Sequence, residues 1–249
     1  MNPAQQQRYG RHIALPQLGE AGQARLLAAR VLIVGMGGLG SPAALYLAAS
    51  GVGHLVISDF DRVELSNLQR QIAHSTADIG ESKVSSAQQR LHGINPEVQI
   101  TALDYALDDD ELRAQIQAAD LVLDCSDNFS TRFAINRACV ATGTPLVSGA
   151  AIRFEGQVAV FMPGLAHSPC YQCLYKDLGD EGDSCARIGV FAPLVGVIGS
   201  LQAMEALKVL LGIGDSLCGR LLLLDGLHME WRTLNLPRDP ACPVCGTAD

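Results

Sequence analysis

The sequence predicts an α/β fold: a Rossmann-like, mostly parallel sheet with helices on both faces. Three observations carry that prediction. Val31-Leu32-Ile33-Val34 is an unbroken apolar run, as a strand covered on both faces requires. Gly35-x-Gly37-x-x-Gly40 follows at once, at the spacing that turns a strand into a helix beneath a phosphate. Short apolar runs then alternate with helical stretches as far as residue 150.

Taken in order, residues 1–30 read as one or two short helices laid against the body, broken at Gln17-Leu18-Gly19. Their polar part, Arg8, Tyr9, Arg11 and His12, reads on its own as a solvated helix face. In the turn, the first glycine permits the sharp bend, the second lets backbone approach phosphate, and the third lets the helix pack closely on the strand. That helix covers Leu39–Ala49 and ends at Ser50-Gly51, and the strand His54–Asp59 closes a right-handed βαβ unit. Asp59 falls 19 residues after Gly40, where such folds place the acid that binds ribose hydroxyls; it can equally cap a turn, as can Asp61 and Glu64.

A long polar connection over residues 60–80 carries Asp61, Asn67, Arg70 and Gln71 at the edge of the sheet where connections are often functional. The helix Glu81–Leu91 starts with Lys83 near its first turn, where a cation is disfavoured by about 0.3–1 kcal/mol unless an anion compensates. That placement hints at a phosphate, and the alternative is a surface lysine. A strand at Val98–Thr101, a helix at 110–118 and a strand Leu121–Asp124 follow, the last running into Cys125-Ser126-Asp127-Asn128. Asp127 is thereby expected to face the same crevice as Gly35 and Asp59, and a carboxylate beside basic residues suits a magnesium-bound nucleotide. A helix Phe129–Thr142, a strand Pro145–Ala150 and an alternating stretch Phe154–Phe161, read as an antiparallel extension, complete the core.

The 249 residues are expected to form one domain: a helical arm (1–30), a nucleotide-binding core (31–161), and a region (162–249) with a mobile loop, a helix, antiparallel strands and a held tail. A hydrophobic fraction of 48% suits a buried core, and a net charge of −8 argues against a nucleic-acid partner. The N-terminus lacks the apolar segment of a secretory signal, so a cytoplasmic location is expected. The run Ile188–Leu201 is too short to span a membrane and reads as a loop entering a buried helix.

Eight cysteines without a signal segment point to metal or catalysis more than to disulfides. Cys170-x-x-Cys173 and Cys242-x-x-Cys245 are two pairs that suit a tetrahedral Zn2+ site. Such a closed site leaves no position for substrate, so its expected role is to pin the tail; the competing readings are a redox dithiol or chance. Cys185 lies in an acidic, glycine-rich segment and can be a nucleophile, although Asp177, Asp180, Glu181 and Asp183 oppose its thiolate. Cys125, Cys139 and Cys218 read as small buried side chains.

Over essentially its whole length the chain resembles the MoeB/ThiF/HesA family, bacterial relatives of the ubiquitin-activating enzymes. The matching segments are Arg8-Tyr9-x-Arg11, Gly35-x-Gly37-Gly38-Leu39-Gly40, Asp59-x-Asp61-x-Val63, Ser66-Asn67-Leu68-x-Arg70-Gln71, Lys83, Cys125-x-Asp127-Asn128 and both cysteine pairs. The resemblance implies a homodimer that adenylates the C-terminal Gly-Gly of a ubiquitin-like sulfur-carrier protein with Mg2+ and ATP, releasing pyrophosphate. It further implies that Asp59 holds the ribose, Asn67, Arg70 and Lys83 the triphosphate, and Asp127 the Mg2+, with Asp61, Gln71 and Asn128 in the same nucleotide site. Arg11 would reach the phosphates of the other subunit, and Cys185 aligns with the cysteine that joins the carrier in thiamin-pathway members. Ser148–Arg153 and Ala192–Ser200 resemble the molybdopterin-pathway members, slightly favoured here, whereas Pro42–Leu47 and Cys242–Gly246 resemble the thiamin-pathway ones. No rhodanese-like extension follows Asp249, so a separate sulfur donor is expected. The other two readings of the residues are an NAD-dependent oxidoreductase, which leaves the basic cluster and cysteine pairs unexplained, and a non-catalytic zinc-stapled interaction module.

Overall fold

A computed structural model describes residues 1–176 and 189–246. Its strands are β1 (Arg30–Val34), β2 (His54–Ser58), β3 (Gln99–Leu103), β4 (Leu121–Asp124), β5 (Leu146–Ile152), β6 (Glu155–Phe161), β7 (Arg220–Asp225) and β8 (Glu230–Asn235). Together they form one sheet in the order β3-β2-β1-β4-β5-β6-β7-β8. The pairings from β3 to β5 are parallel and those from β5 to β8 antiparallel. Strand order reverses between β1 and β4, so a crevice opens beyond their carboxyl ends, where ligands of such sheets bind.

The helices described are α1 (Pro3–Ile13), α2 (Gly19–Ala28), α3 (Gly40–Ala49), α4 (Lys83–Ile94), α5 (Asp109–Gln117), α6 (Phe129–Thr142), α7 (Tyr171–Leu174) and α8 (Ala192–Leu211). Successive side chains of a strand point to opposite faces, and β1 shows the consequence. Val31 and Ile33 join a core with Ala43 and Leu47 of α3, Val84 and Leu91 of α4 and Ile198 of α8. Leu32 and Val34 join a second core with Leu112 and Ile116 of α5 and Phe133 of α6. Each such aliphatic side chain contributes about 1.5–3 kcal/mol by leaving water, so the four buried residues of β1 anchor both layers.

Two expectations need correction. Tyr9 does not belong to a solvated face: it is 3% exposed, and its hydroxyl accepts from Asn95 Nδ2 at 2.8 Å. Gly51, at φ +83°, leaves the room that Tyr9 fills, since a Cβ there would lie 2.6 Å from the ring. The helix around Lys83 starts two residues later than expected, because Val63 N–H donates to Glu81 O at 2.9 Å and Lys83 N–H to Asp61 O at 3.0 Å, holding residues 81–82 extended. The helix expected to follow the loop in the run Ile188–Leu201 is α8, which starts at Ala192 and, at 20 residues, is long and apolar enough to cross a membrane by length and composition. Its Gln202 and Glu205 are buried in the protein, where Glu205 Oε2 accepts from Leu217 N–H at 2.8 Å, and α8 packs on α3 and on β5 and β6.

Candidate active site

The crevice is built first from backbone. Gly35 takes φ +95°, and a Cβ there would lie 2.7 Å from Cys125 O, so only glycine fits where β1 passes β4. A Cβ on Gly40 would run into the carbonyl of Gly35, which is why α3 can start so close to the strand. Gly37 and Gly38 line a cavity of about 340 Å³ with Asp59, Asp61, Arg70, Gln71, Lys83, Asp127 and Asn128. Among the described residues, the N–H groups of Gly37, Gly38 and Leu39 meet no acceptor and stand at the start of α3, where an anion would find them.

Asp59 closes this turn from the end of β2. Its Oδ2 accepts from Met36 N–H at 2.7 Å and its Oδ1 from Asp61 N–H at 2.9 Å. Burial pushes its carboxyl above the usual range, with Lys83 and the two N–H groups pulling the other way. The capping role is therefore present, and each oxygen keeps a lone pair for a further donor.

Lys83 is not a surface lysine: it is 6% exposed, and its Nζ lies 2.7 Å from Asp61 Oδ2 and 3.9 Å from Asp59 Oδ1. The anions that offset a cation at the first residue of α4 are thus protein carboxylates, and that placement by itself does not require a phosphate. Arg70 lines the cavity with its Nη1 donating to Ser66 O at 3.1 Å, and Gln71 is buried beside Gly37. Asn67 is turned to another use: its Oδ1 accepts from Glu64 N–H at 3.3 Å and closes a short 3-10 turn, outside the cavity lining. Arg11 is exposed on α1 and lines neither cavity of this chain, and Cys185 lies outside the described residues.

Beyond β4, Asn128 caps α6, its Oδ1 accepting from Thr131 N–H at 2.9 Å and from Ser130 Oγ at 2.8 Å. Asp127, exposed, stands at the border of a second cavity of about 510 Å³ that runs along β6, β7 and β8 and is lined by Tyr171, Tyr175, Leu223 and Arg232 among others. Both cavities share Asp127, Asn128, Arg132, Ala150 and Ala151.

Several residues of this region escaped the sequence reading. Arg132 is buried in α6, 3.5 Å from Asp124 Oδ2, and donates to the carbonyls of Ser126 and Gly149. Asp124 also accepts from the hydroxyls of Ser126 at 2.6 Å and Ser148 at 2.8 Å, and Gln202 of α8 donates to its backbone carbonyl at 2.8 Å. A charged residue on the apolar side of a helix is the one signal that pointed there. The first cavity is also lined by Phe60, Tyr105, Leu107 and Leu112, side chains with the apolar surface that a planar base would need.

The four paired cysteines converge. Their sulfurs all lie within 4.8 Å of one another, with Cys170–Cys242 at 3.6 Å and Cys173–Cys245 at 3.4 Å. A zinc tetrahedron with bonds near 2.3 Å has S···S edges of about 3.8 Å, so the set fits such an ion. Burial pushes the Cys170 thiol up to about 11, so a cation is what would hold it as thiolate. Asn136 of α6 braces the cluster, donating to Cys170 Sγ at 3.6 Å and accepting from Tyr171 N–H at 2.8 Å. Cys125 and Cys139 are buried with thiols raised by burial, whereas Cys218 is only half-buried.

Comparison with known proteins places this geometry. A family profile described as the ThiF family matches residues 9–244. The chain is 51% identical over 239 residues to the molybdopterin-synthase adenylyltransferase of Escherichia coli, covering 96% of each chain. It is 49% identical over 246 residues to the sulfur carrier protein ThiS adenylyltransferase of the same organism, covering 99% of this chain and 97% of that one. In fold it is similar to the crystal structure of E. coli MccB with ATP, at a TM-score of 0.82 and 24% identity over 96% of this chain and 73% of that one.

Proposed function

The chain belongs to the ThiF family, and from that premise we propose that it is an adenylyltransferase that uses ATP to adenylate the C-terminal glycine of a ubiquitin-like sulfur-carrier protein, releasing pyrophosphate. The observation that carries this reading is the pair of cavities meeting at Asp127. One is floored by the glycine turn and flanked by Arg70 and Lys83, and suits a nucleoside triphosphate. The other suits the extended end of a chain ending in Gly-Gly. The names of the two Escherichia coli relatives support the same reaction.

The reaction joins a carboxylate oxygen of the carrier to the α-phosphorus of ATP and breaks the bond from that phosphorus to the leaving pyrophosphate. Both partners are anionic, so the protein's task is to hold them in line and neutralise charge; no base is needed, because the carboxylate is already ionised near neutral pH. The Gly37 and Gly38 N–H groups, Arg70 and Lys83 would hold the phosphates. A lysine has three donors, so Lys83 can keep Asp61 and still reach a phosphate oxygen. Asp59 would take the ribose, Asp127 would hold a Mg2+ supplying positive charge against the phosphates, and the four cysteines would hold Zn2+. In a homodimer Arg11 would act on the partner's site. The NAD-dependent reading shares the glycine turn and Asp59, but gives Arg70 and the second cavity no role.

Of the two pathways, molybdopterin is favoured over thiamin by Ser148–Arg153 and Ala192–Ser200. A separate sulfur donor and a cytoplasmic setting, where thiols stay reduced, complete the proposal. The test is ATP–pyrophosphate exchange with carriers of both pathways ending in Gly-Gly: exchange with one of them is expected, and none with any would overturn the reading. Cys185 is assigned to a later sulfur-transfer step, so Cys185→Ala should exchange at the wild-type rate; loss of exchange would remove that assignment.

A further inference from the structure

We propose that His74 is a positioning residue for nucleotide binding, fixing the carbonyl of Met36 and with it the direction in which the Gly37 and Gly38 N–H groups point. The inference rests on the glycine turn being the phosphate site.

His74 lies within the connection between β2 and α4, is 8% exposed, and lines neither cavity. Both ring nitrogens are engaged. Nε2 is 3.1 Å from Met36 O, which can only accept, so Nε2 carries the proton. Nδ1, 2.9 Å from Ser86 Oγ, is then the acceptor of the serine hydroxyl. Ser86 sits in the first turn of α4 and is itself buried, so the ring is set by a rigid element.

Met36 is thereby held on both sides: its N–H by Asp59 Oδ2 and its carbonyl by His74. The turn needs such support from outside. Gly35 at φ +95° and the side-chain-free Gly37 and Gly38 have no Cβ to restrict them, and glycine has the most conformational freedom to lose on ordering. The peptide that His74 grips through the Met36 carbonyl is the one whose N–H belongs to Gly37, the first of the N–H groups without an acceptor among the described residues. Small displacements of groups that align a reacting phosphate have large effects on rate and binding.

The test compares ATP with adenosine as ligands of the full chain. Adenosine lacks the phosphates that would meet the turn, so it reports on the remainder of the site. His74→Phe keeps a ring and removes the donor; it should weaken ATP about tenfold, the scale of one lost hydrogen bond, and leave adenosine affinity unchanged. His74→Gln, whose amide can donate to the same carbonyl, should recover most of the ATP affinity. Wild-type ATP affinity in His74→Phe, or parallel loss of ATP and adenosine, would overturn the inference. Should His74→Phe not fold, Ser86→Ala takes its place: it leaves the ring and frees its orientation, and it must weaken ATP but not adenosine, equal binding of ATP counting against the proposal. A wild-type chain that binds adenosine but gains nothing from the phosphates would instead overturn the phosphate-site reading itself.

Discussion

The nucleotide cavity and the cysteine cluster are stabilised in opposite ways. In the cavity the charged groups have protein partners before any ligand arrives: Lys83 has Asp61 and Asp59, and Arg132 has Asp124. In the cluster four sulfurs face one another with Asn136 as a neutral neighbour. The first region is set by folding, and the second is a donor set suited to an ion. Helix α6 joins them, with Asn128 and Arg132 at the cavity and Asn136 at the cluster, one helical turn beyond Arg132.

Metal removal tests this contrast most severely. Structural Zn2+ sites contribute on the order of 10 kcal/mol of apparent binding energy, so chelation, or Cys242→Ser, should release the ion and expose the tail after Leu236 to protease. ATP affinity should survive, since its groups are paired independently. Metal content, limited proteolysis and ATP titration on the same sample decide the matter; affinity that falls in step with metal content would make the two regions one unit.

The reverse perturbation is Arg132→Met, which strands the buried carboxylate of Asp124. Breaking a buried pair by removing one partner costs about 3–5 kcal/mol, so urea unfolding should show a loss of that size, with Asp124→Asn added on top recovering part of it. Metal content of the folded fraction should not change. A loss of stability accompanied by loss of metal would show that α6 transmits strain from one end to the other. A smaller effect is expected from Asn136→Leu: outer neighbours of metal ligands affect affinity by about 10–100-fold, measurable by competition with a coloured chelator while ATP affinity stays constant.

The contrast also explains what was legible in the sequence. The glycine turn and the cysteine pairs are local spacings, and a spacing restricts its geometry: Gly35 takes positive φ, and two Cys-x-x-Cys pairs suit a single shared ion. The parallel core was legible for the same reason, since the runs Val31–Val34 and 121–123 are buried on both faces and carry no polar break. Asp124, Arg132, Ser148 and Gln202 were not legible, because a buried polar network is made of long-range pairings, Gln202 to Asp124 spanning 78 positions, which no periodicity records. Asn67 shows the complementary limit. Its loop is where a phosphate ligand would be sought, yet its side chain is held by the local turn at Glu64.

The finest test of a cavity set by folding is its pH dependence, and His74 supplies it. Burial, the largest influence, lowers its pKa from 6.5; Lys83 acts in the same direction, and the Met36 carbonyl, Asp78 and Asp59 oppose it. In the unfolded chain the imidazole regains its ordinary value, so below about pH 6.5 the unfolded state binds more protons than the folded one. The contribution of His74 to stability is therefore fully present above that pH and is lost as the pH falls through its lower folded value. Unfolding free energies measured from about pH 8 to about pH 5 should decline less steeply for His74→Phe than for the wild type. The same variant should leave any acid loss of metal unchanged, because the cysteine cluster titrates independently of this ring. Identical slopes would mean that the imidazole charges in place, and that burial does not hold it neutral.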